Sequence, residues 1–317
     1  MSKVFILHEN AEWLAPLRTA FDARGLDFAE WHLAEGEIDL AALPPLGVFY
    51  NRMSASSHTR DHRFAPELTG SVLAWLEAHG RRVVNGARAL DLELSKAKQY
   101  AALNAAGIPT PHTIVAVGYN AVHNAIRTMD GPLILKPNRG GKGFGVQLFE
   151  TAEAANDAVA GGALDAGPDG TVLVQRYIRP AQPEILRNEF VGGKLLYTVR
   201  VDTSDGFELC PADVCNMPEG ETEASRPKFK ILDGYAHPLH ERMELFLARN
   251  GIEVAGIEMI VDAQGQAWVY DINTNTNYSP DAEAAAGRAN TKRSGMGALA
   301  QFLGTELEQL TVPAAAD

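Results

Sequence analysis

The chain has 317 residues, of which 46% are hydrophobic and 21% are charged, an ordinary composition for a soluble globular protein. This length is long for a single core and predicts two or three subdomains. The net charge of −12 argues against general nucleic-acid binding, which needs a basic surface. No apolar run approaches the roughly 20 residues of a membrane helix, so no membrane partner is expected.

The cysteine content and the start of the chain bear on where the protein works. Cys210 and Cys215 are too few for a disulfide scaffold, and they are expected to be reduced thiols. No signal peptide opens the chain, because Lys3 is followed only by VFIL before His8. Together these features predict a cytoplasmic protein.

The first 85 residues alternate apolar runs with segments of helical spacing. The predicted strands are Val4–Leu7, Asp27–Leu33, Gly47–Asn51 and Val83-Val84, and the predicted helices are Ala11–Arg24 and Ala65–His79. This alternation predicts a parallel sheet with helices on its faces. No glycine-rich fingerprint follows the first strand, which excludes an NAD-binding domain.

Polar residues follow two of these strands at their carboxyl ends, where parallel sheets bind ligands. They are His8-Glu9-Asn10 and Asn51-Arg52-Met53. The polar segment Ser54–Arg63 comes next, and two interpretations remain open. It is either a solvated loop or a substrate loop in which Arg52, His58 and Arg60 face a carboxylate.

A boundary between subdomains is predicted at residues 87–111. A short helix, Ala89–Leu94, leads to Ser95, whose hydroxyl suits an N-cap, and a second helix covers Lys96–Ala106. Lys96 lies in the first turn, where the helix dipole disfavours a cation. A lysine there is usually solvated, and it gains a role only if phosphate approaches the same helix end.

A glycine-rich segment, Pro137–Gly145, follows an apolar strand that ends at Lys136. Its sequence, PNRGGKGFG, lets backbone amides face a ligand without side-chain obstruction. Arg139 and Lys142 add positive charge, although the spacing is not that of a P-loop. Because Val146–Phe149 continues as a strand, the segment is a hairpin tip. A mobile turn without function has the same pattern.

The next apolar strand, Thr171–Ile178, carries the polar pair Gln175-Arg176 close to its end. A strand that borders a pocket can offer its backbone to an adenine edge, and Glu184 can accept from ribose hydroxyls. Arg187 and Arg200 lie on two further predicted strands. Arginines on adjoining strands can each bind phosphate oxygens through two parallel N–H···O hydrogen bonds. The alternative is that each arginine lies on a solvent face.

The stretch Val254–Asn277 predicts two apolar strands joined by a turn at Asp262–Gly265. Asp271 and Asn273 share one face of their strand. With a loop of two or four residues, Glu258 is expected diagonally across from Asp271 on that face. Buried carboxylates need a partner or a metal, and this oxygen set suits magnesium. A solvated edge hairpin is the alternative.

The order of these segments resembles the ATP-grasp superfamily and, within it, the RimK-like (α-L-glutamate ligase-like) carboxylate–amine ligases. The segments that carry the resemblance are SKAKQYAALNAAGIPTP, LILKPNRGGKGFGV, VLVQRYI, EILRNEFVGGKLLYTVRV and AGIEMIVDAQGQAWVYDINTNTN, which span roughly residues 95–280. The resemblance implies an α/β chain, α+β in its C-terminal half. It divides the chain into an N-terminal parallel-sheet domain at 1–87, a central lid subdomain at 88–180 and a metal-bearing subdomain at 181–317.

The resemblance also implies a role for each candidate residue in an ATP-dependent ligase that forms a C–N bond through an acyl phosphate. Adenine and phosphates would contact Lys96 and Lys136, and the glycine hairpin with Gly140, Gly141, Lys142 and Gly143 would close over the phosphates. The adenine slot would contain Gln175, Tyr177 and Ile178, with Glu184 on ribose. The γ-phosphate and the acyl phosphate would face Arg187 and Arg200. The implied magnesium ligands are Glu258, Asp271 and Asn273.

The expected cofactors are ATP and Mg²⁺, with two ions and with Mn²⁺ as an alternative. The expected partners are small amino-acid or peptide-like substrates, and a homo-oligomer is left open. Two segments depart from the family pattern: Cys210–Leu232, and the sequence TNTNYSPDAEAAAG after Asn273. Because both border the acceptor side, the substrates stay unassigned. The rival interpretations are another ATP-grasp branch, D-alanine ligase-like or carboxylase-like, a non-catalytic ATP-binding module, and a sugar- or amino-acid-binding α/β protein.

Overall fold

The computed structural model describes residues 2–141, 143–204 and 227–311. In these ranges the strands form three separate sheets, each built from a different part of the chain. Lys142, Cys210 and Cys215 lie outside the described residues, so the predictions made for them are not addressed by the structure.

The N-terminal sheet confirms the predicted parallel arrangement. Its strands run in the order β2-β1-β3-β4, all parallel: β1 Lys3–His8, β2 Phe28–His32, β3 Gly47–Asn51 and β4 Arg82–Val84. Helix α1 spans Ala15–Arg24 and α2 spans Ala65–Ala78. The predicted start of α1 at residue 11 is wrong, because a 3-10 turn at Glu12–Leu14 precedes it and Pro16 lies in its first turn.

The central part forms an antiparallel sheet in the order β5-β8-β6-β7. Its elements are α3 Ala87–Glu93, α4 Lys96–Ala105, β5 Thr113–Val117, α5 Tyr119–Thr128, β6 Leu133–Pro137, β7 Gln147–Phe149, α6 Ala152–Ala160 and β8 Thr171–Arg176. Ser95 is the N-cap of α4, as predicted, and its hydroxyl accepts from the backbone N–H of Lys98. The glycine-rich segment joins β6 to β7, which confirms that it is a hairpin tip.

The C-terminal part forms an antiparallel sheet in the order β11-β10-β9-β12-β13. Its elements are β9 Glu184–Val191, β10 Lys194–Asp202, β11 Phe229–Leu232, α7 Leu239–Arg249, β12 Val254–Val261, β13 Ala267–Asn273, α8 Pro280–Ala285 and α9 Gly295–Thr311. Helix α9 returns to the N-terminal sheet, where Leu299 and Leu303 share a buried core with Val4 and Ile6. The division into domains at residues 87 and 180 stays a prediction.

The β12–β13 hairpin has a different register from the one expected. Val261 pairs with Ala267, and the register shifts between Glu258 and Met259, so Glu258 pairs directly with Asp271. The expected diagonal placement is therefore wrong. A bulge adds one residue to β13 and turns its side chains relative to β12, which brings the two carboxylates face to face.

Candidate active site

A cavity of about 260 Å³ contains most of the residues that the sequence singled out. From that set its lining includes Lys96, Lys136, Gly140, Gly141, Gly143, Gln175, Tyr177, Ile178, Arg187, Glu258, Asp271 and Asn273. The central sheet, the β12–β13 hairpin and the loop after β3 each contribute part of the wall. The fold therefore brings the candidate phosphate, adenine and metal ligands together.

The candidate metal ligands lie side by side on β12 and β13. Glu258 pairs directly with Asp271, and Asn273 Nδ2 donates to Asp271 Oδ2 at 3.2 Å. Burial raises the pKa of Glu258, although nearby Arg187 opposes this rise. Two buried carboxylates opposite each other repel unless a cation offsets them. Two carboxylates and an amide oxygen fit Mg²⁺, which completes its coordination with water and phosphate oxygens.

Lys96 supplies a positive charge beside these carboxylates. Its Nζ donates to Asp271 Oδ1. Burial disfavours the charge on Lys96, but the Asp271 carboxylate raises the pKa of the lysine above its ordinary value. In turn, burial favours protonation of Asp271, while Lys96 holds the pKa of the aspartate below its usual range. Both groups therefore stay ionised, and the Lys96 ammonium offsets the charge of the Asp271 carboxylate.

Lys136 is a second lysine in the cavity, and its environment is different. It is 6% exposed, and its Nζ donates to the Tyr100 hydroxyl at 2.6 Å. Burial and the neighbouring Lys96 lower the pKa of Lys136 to about 7. The lysine is thus poised to gain a proton when an anionic ligand enters.

The glycine hairpin forms one wall of the cavity, where the resemblance implies that it closes over phosphates. Gly140, Gly141 and Gly143 line the cavity, and Gly143 has a positive φ of 76° that favours glycine. A Cβ on Gly141 would lie 3.3 Å from Ser56 Cβ, so the hairpin passes close to the loop after β3. Arg139 is turned away from solvent, and its Nη1 donates to Glu67 Oε1 at 2.9 Å.

The end of β8 and its continuation form a second wall. Gln175, Tyr177 and Ile178 line the cavity, and Gln175 Nε2 donates to Thr113 Oγ1 at 2.7 Å. The cavity lining also includes the aliphatic side chains of Ile134, Ile185, Ile260 and Ile272. An apolar slot bordered by a strand end suits the flat face of a purine base.

Two predicted site residues lie outside the cavity lining. Glu184 on β9 and Arg200 on β10 face each other, with Arg200 Nε 3.8 Å from Glu184 Oε2. The structure does not bring them to the carboxylate pair. The contacts of Glu184 with ribose and of Arg200 with phosphate stay predictions.

Arg187 lines the cavity, but protein groups take up all three nitrogens of its guanidinium. Nε donates to Glu189 at 2.6 Å, Nη1 to Glu258 at 2.6 Å and Nη2 to Thr276 Oγ1 at 2.6 Å. A Cβ on Gly256 would lie 2.6 Å from Nη2, so the arginine packs against bare backbone. These contacts give Arg187 a role in orienting Glu258, and its predicted contact with the γ-phosphate stays a prediction.

The segment after β13 contains functional candidates that the sequence interpretation missed. From residue 273 to residue 278, buried residues alternate with half-buried ones, and Asn273, Asn275 and Asn277 all line the cavity. The threonines between them point inward: Thr274 bonds Glu93, and Thr276 bonds Glu189. The alternation of Asn and Thr in NTNTN was the available signal, because side chains two apart share a face.

The first part of the segment Ser54–Arg63 is not solvated, because residues 54–57 are buried, whereas residues 59, 61 and 63 are exposed. Ser54, Ala55 and Ser56 line the cavity beside Trp13. Arg60 contacts a carboxylate of the protein itself, that of Glu9, with Nη2 at 2.5 Å from Oε1. A contact of this segment with a substrate carboxylate stays a prediction.

His62 Nδ1 lies 2.9 Å from the other Glu9 oxygen. Burial favours protonation of Glu9, but Arg60 and His62 hold its pKa below the ordinary value. By contrast, His58 Nδ1 contacts the backbone oxygen of Ala55.

Comparison with known proteins relates a large part of the chain to one family. Residues 94–208 match the family model of the RimK-like ATP-grasp domain. The chain therefore contains a RimK-like ATP-grasp domain at residues 94–208. A crystal structure of a RimK domain ATP-grasp protein from Sphaerobacter thermophilus superposes on this chain with a TM-score of 0.63 and 22% identity, covering 95% of this chain and 99% of that one. The ATP-grasp ligase PsnB, solved with Mg and ADP, gives a TM-score of 0.64 at 16% identity over 96% and 99% of the two chains.

Curated relatives of this ATP-grasp chain are named as ligases. A D-alanine–D-alanine ligase of Chromohalobacter salexigens is 27% identical over 299 residues, which are 90% of this chain and 85% of the relative. A "Probable alpha-L-glutamate ligase" of Methanococcoides burtonii is 30% identical over 137 residues, which are 43% of this chain and 44% of that relative. No helix within the described ranges is long and apolar enough to cross a membrane.

Proposed function

We propose that this ATP-grasp protein is an ATP-dependent ligase that joins a carboxylate to an amine and releases ADP and phosphate. The observation that carries the proposal is the face-to-face pair Glu258 and Asp271, with Lys96 and Lys136 in the same cavity. A protein that only stores or senses nucleotide has no need to set the buried Glu258 carboxylate opposite the half-buried Asp271 carboxylate. The pair is suited to a metal that acts on phosphates.

The reaction divides into two balanced steps. An oxygen of the substrate carboxylate attacks the γ-phosphorus of ATP, the bond from that phosphorus to the β–γ bridging oxygen breaks, and ADP leaves. The nitrogen of the amine then attacks the acyl carbon, the C–O bond to phosphate breaks, and the amine loses a proton to solvent. No covalent bond to the protein is required, so positioning and electrostatics supply the catalysis.

The residues of the cavity divide these tasks. Lys96 and Lys136 offset phosphate charge, the glycine hairpin offers backbone N–H groups, and Arg187 holds Glu258 in place. Glu258, Asp271 and Asn273 would hold magnesium, which would supply positive charge to offset the negative charge of the reacting phosphates. The proposal includes a second metal ion, with Mn²⁺ as an alternative to Mg²⁺. It also includes a cytoplasmic location, and it leaves open whether the protein is a monomer or a homo-oligomer.

The substrates are proposed to be amino acids or short peptides. A ligase of the D-alanine–D-alanine type is a second candidate, favoured by the relative that matches 90% of the chain. The α-L-glutamate ligases match a shorter part of the chain at 30% identity. The names of these relatives make D-alanine and L-glutamate the first substrates to test.

The test measures ADP release with ATP and Mg²⁺ against amino acids offered singly and in pairs, D-alanine and L-glutamate among them. We expect release that depends on a carboxylate and an amine together. Asp271→Asn should lower turnover by a factor of about 10²–10³, because the metal loses a charged ligand. Nucleotide should still bind to this variant, with lower affinity. Unchanged turnover in a folded Asp271→Asn protein would end the metal-ligand assignment. No ADP release with any pair would contradict the ligase proposal.

A further inference from the structure

Arg52 is a buried arginine for which the structure provides only neutral partners. It follows β3 directly and is 2% exposed. Nε donates to Asn275 Oδ1 at 3.0 Å, and Nη2 donates to the Thr276 carbonyl at 3.2 Å and to Asn277 Oδ1 at 2.8 Å. Nη1 is buried without a hydrogen-bond partner. Among the described residues, no carboxylate oxygen lies within 4.0 Å of this guanidinium.

Such an arrangement is unfavourable in the free protein. A buried charge is costly unless an opposite charge or a full set of hydrogen bonds compensates for it. Arg187, a buried arginine that lines the cavity, illustrates the usual solution, because it has Glu189 and Glu258 as partners. Arg52 lacks such a partner, so the missing negative charge is expected to come from a ligand.

The contacts of Arg52 also determine which way two cavity amides point. A guanidinium only donates hydrogen bonds, so the atoms of Asn275 and Asn277 that face it must be the amide oxygens. The NH₂ groups of both side chains are then directed away from Arg52. Because Asn275 and Asn277 line the cavity and Arg52 does not, the cavity wall here presents N–H donors with a positive charge behind them.

We propose that Asn275 and Asn277, oriented by Arg52, bind a carboxylate that stays unreacted on one of the two substrates. This inference rests on the proposed ligase function and names the substrate class: at least one substrate is an amino acid or peptide with a free carboxylate besides the reacting groups. Two amide donors backed by a guanidinium match the two oxygens of a carboxylate.

Position separates this carboxylate from the one that is activated. The activated carboxylate must reach the γ-phosphate next to Asp271 and Asn273. Residues on the same face of an extended segment are roughly 6–7 Å apart, so Asn277 lies two such steps beyond Asn273 at most. Arg52 contacts residues 275–277 and does not bond Asn273. The wall lined by the outer amides therefore suits the far end of the substrate.

The test compares acids with their amides in the parent protein and in Asn277→Asp. The probes are D-alanine, L-glutamate and triglycine, each beside the form in which the C-terminal carboxylate is a carboxamide. Triglycine represents a peptide end, and the other two represent free amino acids. ADP release gives kcat/KM, and calorimetric titration with a nonhydrolysable ATP analogue and Mg²⁺ gives affinity without turnover.

In the parent we expect amidation of the unreacted carboxylate to lower kcat/KM or affinity at least 30-fold for one probe. Asn277→Asp is nearly isosteric and gives Arg52 a carboxylate partner, so the melting temperature should hold or rise. It replaces a donor with a negative charge, so the acid should lose at least tenfold in affinity and the preference for acid over amide should fall below threefold. The KM for ATP should change less than twofold.

Two further variants keep the test decisive. Arg52→Lys retains the charge but cannot orient both amides with a planar fork, so KM for the acid should rise with kcat less affected. Asn124→Asp makes the same chemical change at an exposed helix position and should alter none of these measurements.

Three outcomes would each overturn the inference. They are equal binding of acid and amide in the parent, an undiminished preference for acid in Asn277→Asp, and no binding of any acid. Failure of the ligase function is separate, because it appears as absent ADP release while the titrations still report carboxylate binding.

Discussion

At the residue scale, Lys136 shows how burial prepares a side chain for an anionic ligand. The pKa of Lys136 is lowered from 10.5 to about 7 by burial and by Lys96. The unfolded chain therefore binds more protons than the folded one between these pH values. The contribution of Lys136 to the free energy of unfolding accordingly rises from about pH 7 towards pH 10.5, and it is least favourable below pH 7.

The lowered pKa of Lys136 leads to a prediction about nucleotide binding. At pH 8 the free protein holds this lysine mostly neutral, and the phosphates of ATP favour its charged form. Binding should therefore take up close to one proton, measured by titration calorimetry in buffers with different heats of ionisation. Lys136→Met should bind at least tenfold more weakly, roughly 1.4 kcal/mol, and should lose this uptake. Equal proton uptake by the two proteins would contradict the assignment of Lys136 to the phosphate site.

At the element scale, strands β9 and β12 approach each other around a glycine. Gly256 on β12 pairs with Glu189 on β9, and the Arg187 guanidinium crosses directly over it. Any side chain at this position would push the arginine away from Glu258. The position of a candidate metal ligand thus depends on the absence of a side chain on the strand that carries it.

We expect Gly256→Ala to lower the free energy of unfolding by about 2 kcal/mol or more, because the new methyl overlaps Arg187 in a packed interior. Gly70→Ala is a matched control, since its Cβ would meet Leu90 at an ordinary 3.8 Å within α2. The control should stabilise the protein by up to about 1 kcal/mol through helix propensity. Chemical denaturation of both variants measures the difference. Equal effects of the two substitutions would show that the contact with Arg187 has no energetic weight.

At the scale of the whole molecule, Asn85 joins the N-terminal sheet to the C-terminal one. It is fully buried after β4, with a positive φ of 55°. Its Nδ2 donates to the carbonyls of Val254 and Thr274 at 2.7 and 3.0 Å. Its Oδ1 accepts from the N–H groups of Glu253 and Val254 at 2.9 and 3.1 Å. The start of β12 and the NTNTN segment are thereby held at the edge of the parallel sheet.

Two substitutions separate the stability that the Asn85 hydrogen bonds contribute from the cost of a positive φ. Asn85→Ala removes all four side-chain hydrogen bonds and places alanine in the left-handed region. Asn290→Ala is the control, because Asn290 has a φ of 56° and is exposed. The control should cost about 1–2 kcal/mol from strain alone. Asn85→Ala should cost at least about 2 kcal/mol more, since buried backbone groups lose their partners. Similar losses of unfolding free energy in both variants would remove Asn85 as a link between the sheets.

The sequence alone determined those features that depend on neighbouring residues. Strand and helix periodicity, the N-cap at Ser95, the glycine hairpin and the shared face of Asp271 and Asn273 all follow from local geometry. The order of these segments was also sufficient to indicate the ATP-grasp family, because order along the chain is preserved in the linear pattern.

Only the tertiary structure decided what distant segments do to one another. Three features depend on packing between elements: the bulge that sets Glu258 opposite Asp271, the position of Arg200 outside the cavity lining, and the return of α9 to the first sheet. Arg52 is the clearest case. From the sequence it was one polar residue after a strand, and its partners lie more than 220 positions away along the chain. Side-chain burial and hydrogen bonds between such distant residues produce no periodic pattern in the sequence, because they arise only when the sheets pack together.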